Sequence, residues 1–99
     1  MNKYQNKEIR GKILQILKVN YPDPAGDQLI SDMLTDTMYD VTTDDVKVHL
    51  SYLEGKGYIK TEKVENKILK MSRTIAILTP EGIDLLEGNI AADAGVEVD

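Results

Sequence analysis

The residue types that could support catalysis are scarce in this chain. Its single histidine, His49, lies among the apolar positions Val46, Leu50 and Leu53, and the chain has no cysteine. A histidine at this spacing is expected at the surface or boundary of a helix. The chain also lacks a glycine-rich loop of the type that binds phosphate. We therefore predict that the protein is not an enzyme and that it uses no cofactor.

Three aspartates that lie close together in the sequence could suggest a cation site. Asp40, Asp44 and Asp45 lack the spacing of oxygen ligands that a calcium loop has. Asp44 and Asp45 instead follow Thr42 and Thr43, which are N-capping residue types at the start of an apolar helical stripe. Carboxylates in a first turn interact favourably with the positive end of the helix dipole. We therefore predict helix capping and no metal site.

Basic and acidic residues alternate in blocks along the chain. The net charge is −5, which argues against nucleic acid when the chain is taken as a whole. Residues 1–18 and residues 47–73 each carry a net +4, whereas residues 19–46 carry −7 and residues 74–99 carry −6. Because the distribution of charge decides what a surface binds, the two basic segments are candidates for contact with an anionic partner.

Apolar residues at helical spacing predict two helices in the first part of the chain. The first is expected from roughly Asn6 to Val19, with the apolar positions Ile9, Ile13, Ile16 and Leu17. The second is expected to start at Asp23, which can cap it, with Pro24 in the first helical position. Its apolar face would comprise Leu29, Ile30, Met33 and Leu34. A short connector, residues 38–41, would follow.

A third helix is predicted near residues 42–55. Its apolar stripe is Val46, Leu50 and Leu53, and we expect it to pack on the first two helices. Gly55 and Gly57 lie at its end, where a left-handed cap favours glycine. Two strands are then expected at 58–64 and 74–78 with a polar, basic loop between them, and Thr79-Pro80 predicts a last short helix that ends at Gly88.

This order of elements predicts an α+β fold, a winged helix-turn-helix with a three-helix core, a β-hairpin wing and a short C-terminal helix. Residues 1–88 would form this domain, and residues 89–99 a mobile, acidic C-terminal tail. Residues 1–8 have no apolar run, so no secretory signal is expected. No stretch approaches ~18 apolar residues, so we expect no membrane partner.

Two segments resemble signatures of bacterial winged-helix regulators. Residues 50–59 resemble the end of a recognition helix, with a Leu-Glu pair and a glycine before a strand. Residues 77–88 resemble the strand that leads into the last helix. These segments are similar to the MarR, PadR and ArsR groups of regulators, which implies the winged-helix fold.

Nearly the whole chain also resembles small winged-helix proteins encoded by Mu-like phages and prophages. The resemblance is carried by Ile9-Arg10, Tyr21-Pro22-Asp23-Pro24, Tyr52-Leu53-Glu54 and the ending Asp93-Ala94-Gly95-Val96-Glu97. It implies a phage or bacterial cytoplasmic origin, and it supplies no established activity.

Geometry and charge together predict that the partner is double-stranded DNA, bound in a sequence-dependent way by a small transcriptional regulator. In a winged helix, the third helix enters the major groove with its N-terminal half first. The residues off its buried stripe would face the bases, and these are Thr43, Asp44, Lys47, Val48 and Ser51. Lys47 can donate to guanine, and Thr43 can bond a base or a phosphate. The wing residues expected to contact phosphates are Lys60, Lys63, Lys67, Lys70 and Arg73.

Two alternatives remain open. The basic residues of the hairpin could simply keep it solvated. Asp44 and Asp45 are also unfavourable beside phosphates, although a carboxylate can accept a hydrogen bond from cytosine N4. The rival hypothesis is therefore a winged-helix protein–protein interaction module without DNA binding, with a protein partner on its acidic face.

A homodimer is expected as well. Regulators of this architecture read two half-sites about one helical turn apart, which requires two copies of the chain. The first helix, or the last helix together with the tail, would supply the contact between the copies.

Overall fold

The structure, a computed structural model, describes residues 3–98 and confirms the winged helix-turn-helix architecture. Its elements follow in the order α1 (Lys3–Asn20), β1 (Ala25–Gly26), α2 (Asp27–Asp36), α3 (Thr43–Gly55), β2 (Ile59–Asn66), β3 (Met71–Leu78) and α4 (Pro80–Glu87). The strands form one antiparallel sheet in the order β1-β3-β2, and the β2–β3 hairpin is the wing. Met1, Asn2 and Asp99, which belong to the predictions about the N-terminal segment and the tail, lie outside the described residues.

The apolar stripes of the three core helices meet in one buried cluster. Leu50 and Leu53 of α3 lie in it together with Ile13 and Leu17 of α1 and Leu34 of α2, as the helical spacing predicted. The base of the wing closes the cluster with Ile59, Ala76 and Leu78. Full burial of an aliphatic side chain stabilises a fold by about 1.5–3 kcal/mol, so this cluster fixes the position of α3 relative to the wing.

Side-chain caps start both helices that flank the wing. Thr42 and Asp45 form a reciprocal capping box, in which the Thr42 hydroxyl accepts from the Asp45 N–H at 3.1 Å and the Asp45 carboxylate accepts from the Thr42 N–H at 3.0 Å. The bond from the Thr42 backbone is the largest cause that lowers the pKa of Asp45 below its ordinary value. In α4, the Thr79 hydroxyl accepts from the Gly82 N–H at 3.1 Å. The predicted helix starts are therefore confirmed here.

The second helix starts three residues later than predicted. Asp23 and Pro24 do not begin it, since α2 starts at Asp27 with Gly26 as its N-cap residue. The reason is a long-range interaction, because β1 pairs with the middle of β3. This pairing holds the residues after Pro24 in an extended conformation, which a cap-and-proline pattern does not reveal.

The buried face of α2 also differs from the prediction. Leu29 and Met33 are exposed, and the buried residues of this helix are Asp27, Ile30, Ser31 and Leu34. The face toward the core thus contains two polar residues. One of them is satisfied by the connector before α3, because the Ser31 hydroxyl donates to the Val41 carbonyl at 3.1 Å.

The wing strands extend through most of the predicted loop. The register runs from Ile59 opposite Leu78 to Asn66 opposite Met71, which leaves only residues 67–70 for the turn. In that turn the Leu69 N–H donates to the Asn66 side chain at 2.9 Å. The predicted loop of residues 65–73 is therefore too long, because cross-strand pairing continues where the sequence is polar.

The segment after α4 packs against the domain, so the prediction that it is mobile is wrong. Val96 is only 4% exposed and belongs to the buried cluster. The N–H of Glu97 donates to the carbonyl of Lys7 in α1 at 3.1 Å. Gly11 permits this approach, since a Cβ atom at that position would overlap with the Glu97 carbonyl oxygen. The last described residues therefore form part of the packed structure.

Polar side chains fasten the same segment to the helices and to the wing. The Asp93 carboxylate accepts from the Tyr58 hydroxyl at 2.6 Å and pairs with the Lys56 ammonium at 3.2 Å. The bond from Tyr58 is the largest cause that lowers the pKa of Asp93, while burial and Asp93 together raise the pKa of Tyr58 to about 12. The Arg10 guanidinium donates to the Gly95 carbonyl at 3.1 Å. One of the acids of this segment, Asp93, therefore has a structural role, since it binds the Tyr58 hydroxyl and the Lys56 ammonium.

Candidate nucleic-acid interface

The five residues of α3 that were predicted to face bases lie in its first three turns. Asp44, Val48 and Ser51 are exposed and stand three or four residues apart, so they line one outward face of the helix. Thr43 and Lys47 are half-buried at the edges of that face. The other side of α3 packs into the buried cluster. The structure thus brings these five residues together on a surface that is clear of the core.

Lys47 is held by a buried acid that the sequence analysis did not single out. Its ammonium lies 3.6 Å from the carboxylate of Asp27, a residue only 3% exposed at the start of α2. The same carboxylate accepts from the backbone N–H groups of Gln28 at 2.8 Å and Thr74 at 3.2 Å. Asp27 therefore connects α2, α3 and the wing. One sequence signal was available. Asp27, Ile30 and Leu34 are spaced three and four residues apart, so they share one face of a helix, and an acid on that apolar face is expected to be buried with a partner.

A second acid fastens the end of α3 to the wing. The Glu54 carboxylate accepts from both the backbone N–H and the hydroxyl of Thr61 in β2, at 2.8 and 2.7 Å. Glu54 belongs to the Leu-Glu pair on which the resemblance to winged-helix regulators was based, but no role for it was predicted. Together with Asp27, it holds α3 in position relative to the hairpin.

The five basic wing residues are all exposed and spread along the hairpin. Lys60 and Lys63 lie on β2, Lys67 and Lys70 in the turn, and Arg73 on β3. Lys63 pairs with Glu65 at 3.5 Å, and both side chains are exposed, so this ion pair adds little stability. All residues from 62 to 73 are exposed, so the distal part of the hairpin projects from the domain.

The third helix, α3, and the wing are contiguous at the base of the hairpin. Thr74, whose N–H is bound by Asp27, lies directly opposite Lys63 in the register of the two strands. Lys47, bound to the same carboxylate, therefore lies close to β3 at the base of the wing. Asp27 thus links the predicted residues of α3 to the hairpin that carries the predicted wing residues. The tip lysines, Lys67 and Lys70, stand at the far end of the hairpin.

His49 is buried, in contrast to the predicted surface or boundary position. It is 2% exposed on the inner side of α3, which also excludes it from contact with a base in this conformation. Burial is the largest cause that lowers the pKa of its imidazole, and the charge of Arg10 lowers it further, whereas Asp45 opposes the shift. The apolar stripe of Val46, Leu50 and Leu53 has His49 only at its edge, so the stripe alone did not predict that this side chain is buried.

We expect this histidine to make the domain less stable in acid. Its pKa in the folded state lies below the ordinary value of 6.5, so the unfolded chain binds more protons once the pH falls below that value. The free energy of unfolding should therefore fall as the pH is lowered from neutral through this range. Urea unfolding at a series of pH values checks this, and His49→Gln should show a flatter pH dependence. If the free energy of unfolding depended equally on pH in the wild type and in His49→Gln, His49 would not be the group responsible.

Two other kinds of site find no support among residues 3–98. No group of acidic or histidine side chains in this range could hold a metal ion. No helix in this range is long and apolar enough to cross a membrane.

Comparison with known proteins identifies the fold class. Neither a protein-family model nor a curated protein sequence matches the chain. Solved structures do match it. A PadR family transcription regulator from hypervirulent Clostridium difficile R20291 is 22% identical with a TM-score of 0.60, over 82% of this chain and 81% of the regulator. A padr family transcriptional regulator from Eggerthella lenta DSM 2243 is 20% identical with a TM-score of 0.60, over 82% and 70%. The chain therefore has the winged-helix fold that these regulators have.

Proposed function

We propose that this chain binds double-stranded DNA in a sequence-dependent way, as a small transcriptional regulator of bacterial or phage origin that acts in the cytoplasm. The observation that carries the proposal is the exposed face of α3 beside a projecting, basic wing, with both fastened to one another by Asp27 and Glu54. The description of its structural neighbours as transcription regulators supports it. We propose no enzymatic activity.

In this proposal the two elements have different tasks. The outward residues of α3, from Thr43 to Ser51, lie in the major groove and read base edges. The wing lysines and Arg73 contact phosphates and set affinity. A homodimer would place two copies of α3 on two half-sites one helical turn apart.

Selection of bound duplexes from a random library tests the proposal. Enrichment of one sequence motif would support sequence-dependent binding. Recovery of no duplex above background at low salt would reject it, because low salt favours even non-specific contacts to phosphate.

Lys47→Ala should weaken binding to the selected duplex by about 1–3 kcal/mol and affect a random duplex much less. The reason is that Lys47, at the edge of the outward face of α3, would donate to a particular base of the selected duplex, and a random duplex does not hold that base in place. Fluorescence anisotropy with both duplexes measures the two affinities. Lys18→Ala is the matched control, since Lys18 is also a half-exposed lysine paired with an acid, but lies on α1. Equal losses on both duplexes would show that Lys47 contacts phosphate only.

One observation favours a protein partner as the second candidate. Asp44 is exposed at the start of α3, and Asp32, Asp36 and Asp40 are exposed on α2 and the connector. These acids would repel phosphates but would suit a basic protein surface. If no duplex binds, and Asp32→Asn/Asp36→Asn abolishes capture of a partner while changes to the wing lysines do not, this candidate replaces DNA binding.

A further inference from the structure

The end of the wing carries apolar side chains that the described fold leaves uncovered. Ile68 at the turn is 92% exposed, and its neighbour Leu69 is also exposed. Val64 and Met71 lie on the face of the hairpin opposite to the buried Ile59 and are exposed too. Leu69, Val64 and Met71 line a common hollow on this outer face. Ile68 stands beyond them at the tip and contributes nothing to the core.

Cations surround this apolar tip. Lys67 and Lys70 flank Ile68 and Leu69 in the turn, and Arg73 follows on β3. Residues 66–73 contain these three cations and no acid. Apolar side chains with cations on either side are complementary to a partner surface that has anionic groups at its edges and apolar groups between them. The minor groove of DNA has this character, with phosphates along its edges and stacked bases between them.

The hairpin has the length and the fixed base that such a contact requires. The exposed strand residues from Glu62 to Asn66 span about 13 Å at roughly 3.3 Å per residue. The base is tied to α3 where Glu54 binds Thr61 and to α2 where Asp27 binds Thr74. A wing held in this way can place its tip in the minor groove beside the major groove that α3 would occupy.

We propose that Ile68 is a wedge that enters the minor groove and unstacks one base-pair step, so that the bound duplex is kinked. Apolar side chains inserted between base steps bend DNA by about 20–90° toward the major groove. Pyrimidine–purine steps such as TA unstack most easily, so the wing selects a deformable step as well as contacting phosphates. This inference rests on the proposed DNA binding and adds a second mode of sequence recognition to it.

The test uses the full chain and the duplex enriched by selection, with 2-aminopurine placed at a TA step that is moved along the sequence in a series of duplexes. The fluorescence of 2-aminopurine rises when the base is unstacked, and dyes at the two ends of the duplex report bending by energy transfer. Anisotropy measures binding separately. We expect the fluorescence and the energy transfer to rise at one position of the step when the wild-type protein saturates the duplex.

Two variants make the test specific. Ile68→Ser should still bind but should lose both signals, and because Ile68 is exposed, thermal unfolding should be unchanged. Val19→Ser is the matched control, since Val19 is an apolar residue of similar exposure, 82%, on α1. It should keep both signals. A retained signal in Ile68→Ser would overturn the wedge.

The outcomes separate this inference from the proposed function. Duplex binding without unstacking at any position overturns the wedge and leaves DNA binding intact. No binding to any duplex at low salt overturns both. Binding to vesicles that contain phosphatidylserine is measured as well, because an anionic bilayer also has a charged surface and an apolar interior. Vesicle binding that requires Ile68, without unstacking of DNA, would assign the tip to a membrane and overturn the wedge.

Discussion

Removing the chain from Asp93 onward should lower the free energy of unfolding by about 4 kcal/mol or more. The deletion takes Val96 out of the core, and burial of such a side chain is worth about 1.5–3 kcal/mol. It also removes the hydrogen bonds to Tyr58, Arg10 and Lys7, each worth about 1 kcal/mol. Small domains have only about 5–15 kcal/mol in total. Urea unfolding of the full and shortened chains checks this, and unchanged midpoints would contradict the packing described above.

A single substitution should reproduce much of this loss without shortening the chain. In Gly11→Val the new side chain would occupy the position of the Glu97 backbone, so the C-terminal segment must leave α1. Gly55→Ala is the matched control, because a Cβ atom at Gly55, the last residue of α3, meets no neighbour within 4 Å. Protection of residues 93–98 from hydrogen exchange should be lost in the first variant only.

Replacing Lys67, Lys70 and Arg73 by glutamine should weaken DNA binding on the order of 500-fold at about 0.1 M salt. The estimate follows from a slope of about 0.9 in log affinity against log salt for each phosphate contact that is lost. The slope itself should become shallower by about 2.7, and the selected and random duplexes should be affected equally. Anisotropy titrations at several salt concentrations measure both quantities.

The control for this variant has the same change in net charge on another element. Lys7, Lys12 and Lys18 lie on α1, and their joint replacement by glutamine should leave the salt dependence nearly unchanged. If both triple variants lose the same affinity, the wing is not a specific contact and only the overall charge matters. If neither loses affinity, the hairpin lysines keep the wing solvated and the proposed interface is wrong.

Sequence rules for helix capping correctly predicted the helix ends at which the capping interactions lie within the same few residues. Thr42 and Thr79 start their helices as capping residues, and Gly88 ends α4 in a left-handed conformation with φ of 75°. The start of α2 was not predictable in the same way. Asp23 and Pro24 satisfy the rules for a helix start, but the chain turns at Asp23 and then forms the short strand β1, which pairs with β3 about fifty residues later in the sequence.

The C-terminal segment shows a different reason for failure. Its small, acidic residues are typical of a mobile end, and only the position of its partners shows otherwise. Gly11 leaves room for Glu97, and Gly95 lies against the Tyr52 ring, where a larger residue would collide with the hydroxyl. Complementarity between two surfaces that are distant in sequence has no signature in composition.

For the candidate interface, the sequence predicted which residues of α3 lie off its buried stripe. It did not predict that Thr43 and Lys47 are half-buried, or which residues position this face. The outward residues of α3 follow from its apolar stripe, and the wing lysines from the polar strand pattern. The roles of Asp27 and Glu54 were missed because each acid accepts a hydrogen bond from a backbone N–H group of the wing, that of Thr74 or Thr61. Every residue except proline has such a group, so the sequence does not show which one an acid will bind.

The order of strands has a consequence for how copies of this chain can associate. Because β3 lies in the middle of the sheet, β2 is an edge strand of eight residues, and an open edge is a template for strand addition by another chain. This edge carries four charged side chains, those of Lys60, Glu62, Lys63 and Glu65. The N–H of Thr61 already donates a hydrogen bond to Glu54. Charged side chains on an edge oppose pairing with a neighbour. Pairing of two copies through β2 is therefore disfavoured, and the wing should resist growth into an aggregated sheet even in concentrated solution.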